Sequence, residues 1–251
     1  MTKRIAIAGK GGTGKTTLAA LLIRMLQENH PDRPILAVDA DPNANLNEAL
    51  GLEVEQTLAM VLEAIKKPGG VPTGMTKDIF VQYELNRSLV ETKHYDLLVM
   101  GSPQGAGCYC YPNDLLRRFL EQLSENYDYM LMDNEAGLEH LSRRVLPEAE
   151  VLIITSDATA RGIRSAGRVH EIIENVKLNF GRMGLVIARS QPGELKRLEK
   201  EIDRTGLEVW GEIPFDATIM DFDLDGKPLF ELPAESPAVQ AAEKLYRSLA
   251  L

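Results

Sequence analysis

The chain of 251 residues holds only two cysteines, Cys108 and Cys110. With one residue between them they cannot form a disulfide framework, and nothing in the sequence asks for an oxidising compartment. No run of about 18 apolar residues occurs, which excludes a membrane-spanning helix of the usual kind. The opening residues Met1 to Ile5 lack an apolar signal region and a small-residue cleavage site, so a cytoplasmic location is expected. Basic residues are also in deficit: 28 Lys and Arg face 37 Asp and Glu, a net charge of −9. That balance argues against a general nucleic-acid coat, which needs a basic footprint, and leaves a local basic patch open. No internal repeat, low-complexity tract or linker divides the chain, so one domain over residues 1–251 is expected.

What is present is an ordinary globular composition, 44% apolar and 26% charged. A chain of this length hides roughly 70–75% of its unfolded surface, enough for a large core without metal or disulfide staples. Short apolar runs begin at Ile5, Ile35, Tyr95, Tyr129, Val151, Met183 and Leu207. Stretches with helical spacing separate most of them, at 14–29, 113–126, 138–145, 161–178 and 194–204. This alternation predicts a three-layer α/β fold: a mainly parallel, twisted sheet with helices on both faces. Leu58, Val61, Leu62 and Ile65 suit one helix face, and 78–90 reads equally as strand or helix. The last helix, about 237–249, has only Lys244 and Arg247 as basic residues and reads as a packing helix rather than a membrane-surface anchor.

The segment Gly9-Lys10-Gly11-Gly12-Thr13-Gly14-Lys15-Thr16-Thr17 contains G-x-x-x-x-G-K-T between a predicted strand and a predicted helix. Glycines bring backbone N–H groups close to phosphate oxygens, and the helix start adds positive potential at the same point. Lys15 is placed to reach β- and γ-phosphates, and the Thr16 hydroxyl to ligate Mg²⁺. Asp39 and Asp41 stand at the end of the second strand, and Asp133 at the end of the strand 129–132. Strand ends on that edge of a parallel sheet face the ligand crevice. Helix capping is the competing reading for Asp39 and Asp41, and an ordinary turn for Asp133.

Cys108-Tyr109-Cys110 follows the strand 95–100 and so belongs to the same sheet edge. Small buried thiols and a redox pair are alternatives to a metal site. For a metal the count is informative: structural zinc usually has four ligands, and the chain has no third cysteine. His30, His94, His140 and His170 are scattered, without ligand spacing to the pair. A two-fold axis supplies the missing thiolates, since residues near an axis meet their own copies. Four thiolates suit a soft divalent ion, Ni²⁺ if square-planar and Zn²⁺ if tetrahedral.

The run Lys10 to Thr17, with its second lysine, resembles the deviant phosphate loop of the MinD/ParA-like ATPases, which include the nitrogenase iron protein. The resemblance implies that Lys10 crosses a homodimer interface to the partner's nucleotide. It implies that Asp39 holds water on Mg²⁺ and Asp41 orients the attacking water. It makes Asp133 the acid that closes the Mg²⁺ site, with Thr16. Asn134-Glu135-Ala136-Gly137 resembles the second switch, although Glu135 departs from the small residue or proline of many relatives. Gly11, Gly12, Thr13, Gly14, Lys15, Thr16 and Thr17 then contact the nucleotide, ATP rather than GTP. Many relatives carry an adenine-binding asparagine where this chain has Ala188 followed by Arg189. Arg189 and Pro214, the latter within Gly211 to Asp216, are the base-side candidates.

Together with the loop, Cys108-Tyr109-Cys110 and the stretch Met132 to Arg144 resemble the CooC-type nickel-insertion ATPases, over nearly the whole chain. That resemblance implies a homodimeric metallochaperone using ATP and Mg²⁺, with Ni²⁺ (or Zn²⁺) shared by Cys108 and Cys110 of two subunits. Its client is carbon monoxide dehydrogenase or acetyl-CoA synthase, with no nucleic-acid or membrane partner. The rival classes are a partitioning or positioning ATPase and an electron-transfer ATPase bridging an iron–sulfur cluster, although iron–sulfur relatives space their cysteines far apart.

Overall fold

The computed structural model describes residues 2–67, 70–102, 110–134, 149–176 and 180–251. Within them eight strands form one sheet. They are β1 (Lys3–Gly9), β2 (Ile35–Ala40), β3 (Leu89–Glu91), β4 (Asp96–Val99), β5 (Tyr129–Asn134), β6 (Val151–Asp157), β7 (Arg182–Ser190) and β8 (Val209–Pro214). Their order is β3-β4-β2-β5-β1-β6-β7-β8, parallel throughout except for β3 against β4. The parallel part agrees with the near-continuous apolar runs, which a strand covered on both faces requires.

Alternation along β1 assigns the two layers. Ile5 and Ile7 pack on the side of α1 (Lys15–Asn29) and the C-terminal α9 (Pro237–Leu249). Ala6 and Ala8 face the opposite core, with α3 (Leu58–Lys66), α4 (Lys77–Arg87), α5 (Cys110–Ser124) and α6 (Ala160–Val176). The remaining helices are short or peripheral: α2 (Leu46–Ala49), α7 (Glu194–Asp203) and α8 (Ala217–Leu224).

The apolar stripe of α9 is buried against the rest of the molecule, through Ala238, Ala242, Leu245 and Leu249. Its start is fixed by Pro237 in the first turn and by the Ser236 hydroxyl, which accepts from the Val239 N–H. The packing reading of this helix therefore describes what its apolar face does here.

The ambiguous stretch 78–90 splits into α4 and the three-residue edge strand β3. Among its described side chains helix α4 keeps only Val81 and Leu85 fully inside, four residues apart, which is a weak periodic signal. The helix expected at 113–126 starts earlier, at Cys110, and the one expected at 161–178 spans 160–176. The expected helix at 138–145 lies outside the described residues. Helices α2 and α8 were not expected, being short and flanked by polar residues.

Candidate functional site

The carboxyl ends of β1, β2 and β5 lie side by side, because Ile7 is in register with Asp133 and Asp133 with Asp39. The loop after β1 delivers Lys15 and Thr16 to that edge as the first residues of α1. The loop takes its path because Gly12 and Gly14 adopt φ of 78° and 82°, a region where a Cβ is strained.

Lys15 is buried despite its charge, and Asp39 and Asp133 are 0% and 1% exposed. Asp39 accepts from the backbone N–H of Asp41 at 3.0 Å and of Leu46 at 2.9 Å. Burial nevertheless pushes its pKa up to about 6, against those backbone bonds. Burial likewise raises Asp133 to about 7; the Thr16 hydroxyl and the Lys15 charge oppose the rise, and Asp39 adds to it. One oxygen, Asp133 Oδ1, is buried with no hydrogen-bond partner among the described residues. Two crowded carboxylates, an unpaired oxygen and a hydroxyl are what a hard dication accepts, so the donor set fits Mg²⁺. Asp41 is half-buried and its Oδ1 accepts from the backbone N–H and side-chain Nδ2 of Asn43, both at 2.9 Å.

A cavity of about 750 Å³ opens over this edge. Gly11, Gly12, Gly14, Lys15, Thr16 and Thr17 line its floor, and Asp41 and Arg189 its sides. Arg189 is exposed and holds φ at 57°, turning the chain between Ala188 and Ser190. Thr13 is buried beneath the loop rather than in the lining, and Lys10 is exposed and absent from the lining. Pro214 sits at the end of β8 beside Ser190, outside the lining of the cavity. Sequence reasoning missed a second wall formed by Glu48, Glu53, Asp223 and Lys227. No spacing announces these four, because they come from α2, the turn after it, the end of α8 and the turn that follows it.

Cys110 begins α5, whereas Cys108 and Glu135 lie outside the described residues. Among the described residues no group of three or more His, Cys, Asp or Glu could hold a metal ion. His30 stacks on Tyr129 at 5.0 Å between ring centres and meets the Tyr246 hydroxyl at 2.7 Å. His170 contacts the Thr205 carbonyl at 2.9 Å, and His94 is exposed. These three act in packing or on the surface; His140 lies outside the described residues. No described helix is long and apolar enough to cross a membrane.

Residues 5–229 match the family model described as the CobQ/CobB/MinD/ParA nucleotide binding domain. The ATP-binding protein MJ0685 of Methanocaldococcus jannaschii is 39% identical over 244 residues, covering 96% of each chain. The carbon monoxide dehydrogenase accessory protein CooC of Rhodospirillum rubrum is 28% identical, over 94% of this chain and 91% of its own. The solved MinD cell division protein of Aquifex aeolicus superposes with a TM-score of 0.72 at 26% identity, over 99% of this chain and 97% of that one. An eight-stranded, mostly parallel sheet, a glycine loop with a buried lysine and two buried strand-end carboxylates agree with that family match. The chain belongs to the CobQ/CobB/MinD/ParA nucleotide-binding family and is a P-loop ATPase.

Proposed function

We propose that this ATPase is a homodimeric metallochaperone that inserts nickel into the active-site cluster of carbon monoxide dehydrogenase or acetyl-CoA synthase. The observation that carries the reading is the Cys-x-Cys pair itself. It follows the β4 segment in the sequence, with Cys110 the first residue of α5, in a chain similar to CooC along most of its length. Each subunit supplies two thiolates, a two-fold axis brings the pairs together, and the four ligands take nickel as cargo.

Nucleotide sits in the cavity above the loop. The N–H groups of Gly11 to Gly14 and the Lys15 ammonium cradle its phosphates, with Thr13 bracing the loop from beneath. Thr17 flanks the phosphates, Arg189 covers the base side, and Pro214 backs that loop from β8. Thr16, Asp133 and, through water, Asp39 would hold Mg²⁺, which neutralises charge on the phosphate oxygens when bound. Asp41 orients the attacking water. Lys10 reaches the partner's nucleotide, so hydrolysis needs the closed dimer.

Bound ATP favours closure only by its higher affinity for the closed state. Closure changes the spacing of the two cysteine pairs, and hydrolysis reopens the dimer and releases the metal. Metal and nucleotide then influence each other's binding reciprocally.

Anaerobic metal analysis of the purified protein, with and without ATP, tests the reading. The expected result is about one nickel per dimer, lost in Cys108→Ser and in Cys110→Ser. Full nickel binding by either variant rejects it. The similarity to MinD keeps a positioning ATPase as the second reading. Strong ATP-dependent co-sedimentation with liposomes or DNA favours that reading instead.

A further inference from the structure

A hydroxyl outside the phosphate loop reaches it from behind. Thr155 on β6 is 1% exposed, and Thr13 in the loop is 2% exposed. Their Oγ1 atoms lie 2.7 Å apart across 142 residues of sequence. Thr13 Oγ1 also donates to the Lys10 carbonyl at 2.7 Å, while Thr155 Oγ1 is 3.3 Å from the Ala8 carbonyl. Gly9, in register with Thr155, lets the two segments meet; a Cβ there would stand 2.4 Å from Thr155 Oγ1.

Each hydroxyl has one proton, which fixes the direction of this chain. The Thr13 proton is committed to the Lys10 carbonyl. The Thr155 proton goes to Thr13 at 2.7 Å in preference to Ala8 at 3.3 Å. The series runs from the Thr155 O–H to Thr13 Oγ1, and from the Thr13 O–H to the Lys10 carbonyl. A trans peptide is planar, with its C=O and N–H on opposite sides. Holding the Lys10 carbonyl against Thr13 therefore turns the Gly11 N–H the other way, toward the cavity that Gly11 lines. The same peptide sets the direction in which the Lys10 side chain leaves the loop. In a buried site neither hydroxyl has water to replace its partner, so loss of one is felt by the other.

We propose that Thr155 is a positioning residue for ATP hydrolysis: acting through Thr13, it locks the Lys10–Gly11 peptide in the orientation the reaction uses, without touching nucleotide. This rests on the ATPase assignment and not on the nickel reading, so metal analysis and the present test fail independently.

The test compares Thr155→Val, which keeps shape and loses the hydroxyl, with Thr155→Ser, which keeps the hydroxyl. ATP turnover and ADP affinity are measured on the full chain. Thr155→Val is expected to lower kcat about two- to tenfold, the worth of one buried hydrogen bond, with ADP affinity within twofold of native. Thr155→Ser is expected to recover most of the rate. On a Thr13→Val background Thr155→Val is expected to add nothing, because its route is already cut. An unchanged kcat, a valine variant altered only in KM, a serine variant as slow as valine, or fully additive effects overturns the proposal. Should Thr155→Val fail to fold, Thr155→Ala replaces it in the same comparison.

Discussion

Replacing Asp133 by Asn is expected to stabilise the metal-free protein at pH 8 while removing its response to Mg²⁺. The carboxyl is raised from 3.8 to about 7, with burial as the largest cause. Between those values the unfolded chain is ionised and the folded chain keeps its proton, so the folded state binds more protons. Stability from this group is complete below pH 4 and is lost as pH rises through about 7. At about 1.4 kcal/mol per pH unit, the rise is worth about 4 kcal/mol. Asp133 and Asp39 act on one another, so the loss belongs to the pair as it titrates. Asparagine never ionises, although its amide leaves a buried group imperfectly paired at a cost of about 1–3 kcal/mol. The variant is thus expected to be no more stable than native protein at pH 4 and about 1–3 kcal/mol more stable at pH 8. Urea unfolding in chelator at several pH values measures the difference, and subtracting the two proteins cancels the titrating groups that do not act on Asp133, so that the change left belongs to Asp133 with its neighbours Asp39 and Asp41. Adding Mg²⁺ favours the ionised carboxylates and should restore native stability at pH 8, with little effect on the variant. A difference between the two proteins that stays constant from pH 4 to pH 8 refutes the reasoning.

Lys10→Ala is expected to retain nucleotide binding, because the exposed side chain stands outside the cavity lining, and to lose about 10³-fold in kcat if the lysine acts across the dimer; titrated ATP binding beside steady-state turnover separates the two effects. Ser236→Ala removes both the cap of α9 and the hydroxyl that donates to the buried Asp216 carboxylate, and should cost about 2–3 kcal/mol, a fall in Tm of roughly 5–10 °C, with kcat unchanged; calorimetry and the turnover assay check it.

Much of the site was legible because its determinants are local. The phosphate loop is a continuous run, and Gly12 and Gly14 meet a backbone requirement that no other residue satisfies cheaply. Asp39 and Asp133 could be read as site residues because each ends an apolar run, and strand ends of a parallel sheet share one edge. Where the local signal weakens, the reading weakens with it. Among its described side chains helix α4 buries only Val81 and Leu85, and β3 is only three residues long, so neither period declared itself.

The sequence alone determined the sheet-and-helix alternation, the phosphate loop and the acids at the strand ends, since each depends on neighbours within a few residues. Tertiary structure alone decided that Asp133 lies beside Asp39, that Glu48 and Lys227 face one cavity, and that Thr155 braces Thr13. Those meetings join residues far apart along the chain. They are set by strand order and by burial on both faces of the sheet, which no local pattern encodes.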